Sequence, residues 1–262
     1  MIETRSIYSK IGYQILLTLL ILPFALPLFQ MVAGSFAGMG WRNYQAVLAV
    51  PGIANYFRSS LIIAGGTITI VVLFSLASGF GFSKMKIAFK EVYFWGILAA
   101  LTIPEVVLLT PLFVTTLRYG LYDTYWAVIL PLAALQLPFA ILITRNYIDA
   151  IPNELFDSAK MDGARMTQAF RHIVIPLSRP IGATVVVLSL LAAWNSYLLP
   201  LVFLQNPERQ TVTLLPLYFI SQFGNDQTKV LASAIIIAIP EVLAYLVLQK
   251  FFERGLSAGA VK

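Results

Sequence analysis

Long uncharged stretches alternate with short charged segments along the whole chain. No charged residue lies between Lys10 and Arg42 or between Arg58 and Lys84, and four later stretches contain one at most. Each stretch is long enough to cross a bilayer, which takes about 20 mostly apolar residues in a helix. The pattern predicts an all-α polytopic membrane protein, one domain over residues 1–262 with six transmembrane helices. The predicted spans are 11–33, 59–83, 92–116, 124–145, 180–204 and 230–249.

Composition supports the same class of protein. The chain is 59% hydrophobic and 11% charged, whereas soluble domains contain about 25% charged residues. This excludes an ordinary soluble enzyme. The chain has no cysteine and a single histidine, His172, so a His/Cys zinc cluster cannot form. It also lacks the phosphate-binding loop and the common hydrolase motifs, and we expect a non-catalytic protein without a cofactor.

The basic residues predict an orientation. If the N-terminus is cytoplasmic, 13 of the 18 lysines and arginines lie in cytoplasmic segments and five lie on the other side. Positive charge collects in cytoplasmic loops, so we expect both termini in the cytoplasm. The same rule explains the net charge of +6 without nucleic-acid binding.

Residues 146–179 form the one long polar segment on the predicted cytoplasmic side, here called the coupling loop. Asn153 is a predicted N-cap of a first short helix, and Asp162-Gly163 is a predicted break. A second helix follows with apolar residues at i, i+3, i+4 and i+7, and we expect Pro176 and Pro180 to end it. The apolar positions of that helix are Met166, Ala169, Phe170 and Ile173. Such a stripe either packs on the protein's own helix ends or docks into a groove of a soluble partner, and the pattern leaves both open.

The coupling loop resembles the loop signature of the membrane subunits of bacterial ABC importers. That signature has Glu-Ala-Ala, three residues, glycine, nine residues and Ile-x-Leu-Pro. Here Asp157-Ser158-Ala159, Gly163 and Ile173-Val174-Ile175-Pro176 stand at those positions. The flanking sequences are similar to the carbohydrate-uptake branch, the maltose-importer type. These are Met161-Asp162-Gly163-Ala164, Ile175 to Pro180, Leu121 to Thr124, Ala193-Trp194-Asn195 and Gln249 to Lys262.

Two departures from the signature are visible. The acid is Asp157, one carbon shorter than glutamate, and Ser158 replaces an alanine. Leucine is replaced by Ile175. Charge and apolar character are retained, so we expect docking to be retained with altered geometry.

The resemblance implies a set of partners. These are two ATP-binding cassette ATPases, a second homologous permease (a heterodimer), an extracytoplasmic solute-binding protein and a sugar-like solute, in the bacterial inner membrane. It also implies that helices within residues 153–173 contact the ATPases and switch the cavity by alternating access. The implied contacts are Glu154, Leu155, Asp157, Ala159, Arg165, Met166 and Phe170, with Gly163 setting the angle between the helices.

Several polar or aromatic residues inside the predicted spans are candidates for the solute path. Asn195 can hydrogen-bond hydroxyl groups, and Trp194 can offer a flat apolar face. Glu105 and Glu241 are the intramembrane acids, and each follows a proline. Such acids are usually inward-facing, but each can instead cap the backbone groups released by the preceding proline or pair across the subunit interface. The complete candidate set is Asn195, Trp194, Gln136, Tyr197 and Glu105.

Two other classes of protein are considered. A membrane-embedded enzyme is disfavoured because paired acids, histidine and cysteine are scarce. A secondary carrier would use Glu105 or Glu241 as proton or ion sites, and it would transport without an ATPase.

Overall fold

The computed structural model describes residues 7–221 and 224–260, with side-chain surroundings for 9–220, 226–247 and 249. Within them the regular secondary structure is helical apart from a two-residue antiparallel pair, Ile220–Ser221 (β1) with Gly224–Asn225 (β2). The all-α prediction is therefore confirmed. The α-helices are α1 Ile7–Ser35, α2 Trp41–Leu48, α3 Ile53–Lys84, α4 Lys90–Ala99, α5 Glu105–Arg118, α6 Trp126–Asp149, α7 Asn153–Met161, α8 Met166–Ala169, α9 Ile175–Leu177, α10 Arg179–Trp194, α11 Leu198–Phe203 and α12 Gln227–Ala260.

In the described part of the chain, four helical segments are long and apolar enough to cross a membrane: Ser9–Ser35, Ile53–Lys84, Trp126–Asp149 and Gln227–Val247. Two bent pairs raise the number to six if each pair is one span, in line with the six predicted. Lys90–Thr102 meets Glu105–Arg118 at 103°, and Met166–Leu177 meets Arg179–Trp194 at 74°. The side chains of the C-terminal segment that carries part of the resemblance lie outside the described residues after Gln249.

The sharper bend lies within predicted span 92–116. Ile103 and Pro104 are extended, with ψ angles of 117° and 137°. A proline disfavours helical geometry in the residue before it, and its missing N–H cannot continue a helix. The chain therefore stops after the 3₁₀ turn Ala100–Thr102 and restarts at Glu105.

Contacts divide the chain into two compact units. The first comprises the residues up to Pro51 together with Pro216–Ala238, and the second comprises Gly52–Leu215 with Ile239–Lys262. In the first unit, Asn43 Nδ2 donates to the carbonyls of Ser35 and Ala37 at 2.8 and 2.9 Å. These bonds satisfy backbone acceptors at the end of α1.

The second unit is built on α3, which packs chiefly against α6 and α10. Small residues allow the close approach: a Cβ on Gly66 would lie 2.8 Å from Ile129, and one on Gly79 would lie 2.8 Å from Thr144. Helices in membranes pack through such small residues because lipid removes the hydrophobic drive for association.

Buried apolar clusters follow the α3–α6 pair. One contains Ile63, Ile129 and Phe203, a second Val71 and Val185, and a third Phe80 and Val174. The third cluster joins α3 to the coupling loop and so fixes where that loop lies.

Candidate functional site

The coupling loop begins with α7, and its start differs from the prediction. Asn153 is the first helical residue, whereas Pro152 is the N-cap and supplies no side-chain bond. The N-cap assignment of Asn153 is therefore wrong. Asn153 Oδ1 instead accepts a hydrogen bond from Lys84 Nζ at 2.9 Å. A side chain from another helix thus occupies the group that would have capped α7.

The predicted break at Gly163 is confirmed. Its φ angle is +77°, which glycine adopts without steric cost. The N–H of Gly163 bonds Lys160 O at 3.0 Å, and the N–H of Ala164 bonds Ala159 O at 2.9 Å. This is the two-bond Schellman arrangement that ends a helix, and it turns the chain from α7 toward α8.

The second helical segment runs further than the sequence indicates. A π-helical stretch, Phe170–Val174, lies between α8 and α9. The helix continues through Pro176 and ends at Leu177, so Pro176 does not end it. Wider π turns are frequent at functional sites.

The structure separates the predicted docking residues into two groups. Phe170 faces the chain's own core, 5.6 Å from the Phe80 ring, and Phe156 lies 6.1 Å from the same ring. Ala159 is half-buried. The remaining six are exposed: Glu154, Leu155, Asp157, Gly163, Arg165 and Met166.

Met161 is a residue that sequence reasoning did not include in the docking set. It is 89% exposed, at the end of α7 beside the Gly163 turn. Leu155 and Met166 are also exposed apolar side chains of the loop, at 45% and 52%. The helical spacing of Leu155 and Ala159 gave no signal for it, because Met161 does not lie on the same helix face. We call Leu155, Met161 and Met166 the apolar loop surface.

The loop is fastened to the ends of two long helices. Lys84 Nζ donates to Ile151 O at 2.7 Å and lies 5.3 Å from the Phe156 ring centroid. Tyr147 Oη donates to Leu177 O at 3.2 Å. The bonds start from the last turns of α3 and α6, so the loop is held at both of its ends.

A second feature is a cavity of about 370 Å³ bounded by the start of α5, the middle of α6 and the segment from Ala192 to Leu198. Four of the five predicted solute-path residues line it: Glu105, Gln136, Asn195 and Tyr197. Ser196, which sequence reasoning did not include, lines it as well. The fold therefore brings together residues from three segments that are well separated in sequence.

Trp194 does not line this cavity. Its side chain is 4% exposed, and its ring packs 6.4 Å from the Phe57 ring. The structure thus assigns Trp194 to packing between α3 and α10. Adjacent helical residues point about 100° apart, so Asn195 lines the cavity and Trp194 does not. The sequence alone does not reveal which of the two faces the cavity.

Asn195 is engaged by an intramembrane acid. Its Nδ2 donates to Leu191 O at 2.9 Å and to Glu241 Oε1 at 2.7 Å. An amide nitrogen has two N–H donors, so both are used. Glu241 therefore pairs with a side chain of the same subunit, a role that the sequence analysis did not include, and Asn195 offers its oxygen to the cavity.

Two buried groups at the cavity have no partner within the described residues. They are Gln136 Nε2 and Ser196 Oγ. Buried polar groups are normally hydrogen-bonded, so these two lie beneath the cavity wall without their usual bonds. A medium-sized cavity with a few polar groups on an apolar wall is typical of a small-molecule site.

Comparison with known proteins gives the class. Residues 72–258 match the family of inner membrane components of binding-protein-dependent transport systems, and the chain belongs to this family. It is 33% identical over 211 residues to the probable ABC transporter permease protein YurM of Bacillus subtilis (strain 168), covering 80% of this chain and 70% of that protein. It is 29% identical over 227 residues to the melibiose/raffinose/stachyose import permease protein MelC of the same organism, covering 86% and 82%.

A solved structure has the same fold. The chain matches a subunit of a bacterial ABC transporter involved in the import of the acidic polysaccharide alginate, with a TM-score of 0.76 and 21% identity. The match covers 96% of this chain and 99% of that chain. The resemblance drawn from the coupling loop is therefore confirmed at the level of family and fold.

Proposed function

We propose that this permease moves a sugar or sugar-like solute, and that separate ATPases drive it through the coupling loop. The observation that carries the proposal is the apolar loop surface, exposed on a loop that is bonded to α3 and α6. A relative such as MelC carries melibiose, raffinose and stachyose by its name. In this proposal a second homologous permease completes the path as a heterodimer, and a solute-binding protein delivers the cargo.

The exposed residues of the loop suit a protein partner. Leu155, Met161 and Met166 provide apolar contact, and methionine adapts its shape to a partner surface. Glu154, Asp157 and Arg165 are exposed beside them and provide the polar rim typical of interfaces. Phe170 acts from inside, since it packs on Phe80, and it supports the loop that the ATPase contacts.

The anchoring gives the loop a mechanical role. Alternating access requires the ATPase to bind the two conformations with different free energy, typically by about 1–3 kcal/mol for coupled sites. A loop bonded to the last turns of α3 and α6 transmits such a bias to the helices that enclose the cavity. In this proposal both termini and the coupling loop are on the cytoplasmic side of the membrane, the orientation that the distribution of basic residues favours.

The solute path includes the cavity lined by Glu105, Gln136, Asn195 and Tyr197. Its lining combines a few polar side chains with apolar ones. This combination suits a sugar, whose hydroxyl groups form hydrogen bonds and whose ring carbons contact apolar side chains. Trp194 contributes packing beside Asn195 and does not contact solute.

A secondary carrier remains the alternative, and one observation favours it: Glu105 lines the cavity without a hydrogen bond or ion pair to any described residue. The two proposals differ in the energy source for transport, which is ATP hydrolysis by partner subunits in one and an ion gradient in the other. The chain reconstituted alone should show no transport driven by an ion gradient. Transport under those conditions would favour the carrier.

Met161→Asp tests the docking role. Because the side chain is 89% exposed, the variant should insert and fold normally while copurification with the ATPases falls by about tenfold or more, the equivalent of about 1.4 kcal/mol of binding free energy. Leu48→Asp is a matched control, since Leu48 is also exposed (59%) and lies far from the coupling loop in sequence. Equal ATPase recovery from both variants would refute docking through this surface.

Gly163→Pro provides an independent test of the turn. Proline fixes φ near about −65°, whereas the native value is +77°, so α7 and α8 cannot keep their angle. We expect membrane insertion to persist and ATPase copurification to be lost. Gly163→Asn is the control, because asparagine tolerates the left-handed conformation, and it should retain ATPase binding. Normal assembly of the proline variant would count against the role assigned to this turn.

A further inference from the structure

The polar groups of the cavity are mostly acceptors. Glu105 contributes a carboxylate, and Asn195 contributes its oxygen because both of its N–H groups are already bonded. Gln136 Nε2 is a donor without a partner among the described residues, and the hydroxyl groups of Ser196 and Tyr197 can donate or accept. A molecule that fills this cavity must therefore supply several donors of its own.

Charge in the cavity has one sign. Glu105 is the one charged residue among those of the described chain that line it, and no lysine, arginine or histidine is among them. Glu105 is also the first residue of the 14-residue helix α5. The N-terminus of a helix carries partial positive charge, which offsets part of the cost of desolvating a carboxylate there.

We propose that this cavity admits neutral and cationic solutes and rejects anionic ones, with Glu105 as the specificity-determining residue. The inference deepens the proposed function, since it rests on the cavity being part of the solute path. It sets sugars, polyols and amino sugars apart from uronates and sugar phosphates.

The physical basis is the cost of desolvating an anion. A carboxylate or phosphate that leaves water needs a cation or several donors in exchange, and this cavity offers no cation among its described lining residues, only Gln136 Nε2 and the hydroxyl groups of Ser196 and Tyr197 beside a like charge. A neutral sugar pays a smaller desolvation cost, because its hydroxyl groups donate hydrogen bonds to the Glu105 and Asn195 oxygens. An ammonium group gains an ion pair with Glu105. Repulsion by a like charge is a common source of specificity.

The absence of cysteine from the sequence makes a direct test possible. Ala192 is exposed and lines the cavity, so Ala192→Cys introduces one small thiol there into a chain with no other. In membranes containing the assembled transporter, the labelling rates of this thiol are measured with methanethiosulfonate reagents. The cationic trimethylammonium-ethyl and the anionic sulfonato-ethyl reagents are compared at low ionic strength, where screening is weak.

The expected change follows from the size of the cavity, whose volume is about 370 Å³. A sphere of that volume is about 9 Å across, and at that separation, even in the dielectric of water, one unit charge changes the ratio of cationic to anionic rates by about fivefold. Glu105→Gln in the Ala192→Cys background should lower the ratio by at least that factor. Glu208→Gln, which removes an exposed acid outside the cavity lining, should leave it unchanged.

Two results would overturn the inference. One is a rate ratio that stays the same with and without the Glu105→Gln substitution, which would mean that Glu105 does not set the field in the cavity. The other is a thiol that reacts with neither charged reagent, which would mean that the cavity is not reached by water-borne solutes. Neither result bears on ATPase copurification, so the docking proposal stands or falls separately.

Discussion

Lys84 should control how firmly the coupling loop is attached to α3. Its ammonium group donates to Ile151 O at 2.7 Å and to Asn153 Oδ1 at 2.9 Å, with a longer contact of 3.4 Å to Asp149 O. It also lies 5.3 Å from the centroid of the Phe156 ring. Lys84→Met keeps an apolar stem of similar length and removes all of these polar contacts.

The size of the effect can be worked from these contacts. Hydrogen bonds to a charged group contribute about 1.5–3 kcal/mol each, and the two short bonds are partly exposed, so we take about 1.5 kcal/mol for each. An exposed cation–π contact adds about 0.5 kcal/mol. The variant should therefore lose about 3.5 kcal/mol of local anchoring of α7, which corresponds to about a 400-fold larger open population.

Amide hydrogen exchange measures this population directly. Peptides that cover Asn153–Met161 should exchange up to about 400-fold faster in Lys84→Met, while peptides from the centre of α6 should be unchanged. Lys86→Met is the matched control, because Lys86 is exposed and its replacement removes the same charge from the neighbouring sequence. If both variants exchange α7 at rates within about threefold of each other, the anchoring role of Lys84 is refuted.

Two further predictions concern the membrane helices and the segment after α11. Gly79→Ala places a methyl group 2.8 Å from Thr144, so α3 and α6 must separate at a cost of about 1–3 kcal/mol. Gly65→Ala is the control, because its methyl group meets nothing within 4 Å. Equal thermal midpoints for the two variants in detergent would contradict the packing argument. Asp123 Oδ1 accepts the backbone N–H groups of Gln205 and Asn206, both at 3.0 Å, so Asp123→Ala leaves two donors without their acceptor at about 1–3 kcal/mol each. Proteolytic cleavage near residues 204–210 should accelerate in that variant, and an unchanged cleavage rate would argue against the anchor.

The membrane class, the helical fold and the family followed from the sequence because each depends on local or linear information. Hydrophobic runs report burial in lipid residue by residue. The left-handed turn at Gly163 was predictable, since only glycine takes that conformation readily. The loop signature is likewise a pattern of spacings within one segment.

Other features required contacts between distant segments. Asn153 was expected to cap α7, but Lys84 occupies its oxygen from 69 residues away. Phe170 lies on a stripe that could face a partner or the core, and the position of Phe80 decides for the core. Met161 carries no periodic signal, and only the packing of the folded chain shows that it is 89% exposed.

The solute path shows the same division. The sequence identified Glu105, Gln136, Asn195 and Tyr197 as polar or aromatic residues in apolar spans, where such groups are costly and tend to be functional. It could not distinguish Asn195 from its neighbour Trp194, because adjacent helical residues point about 100° apart and the packing of α3 sets which one is buried. Nor could it pair Asn195 with Glu241, 46 residues away.

The sequence by itself thus determined that this chain crosses the membrane as helices and belongs with the permease subunits of binding-protein-dependent importers. Both follow from composition, charge distribution and one short motif. Only the tertiary structure decided which side chains share a cavity, which residues of the coupling loop remain exposed, and which charge the cavity carries. Those properties depend on the rotation and close approach of α3, α6 and α10, which are set by packing between residues far apart in the chain.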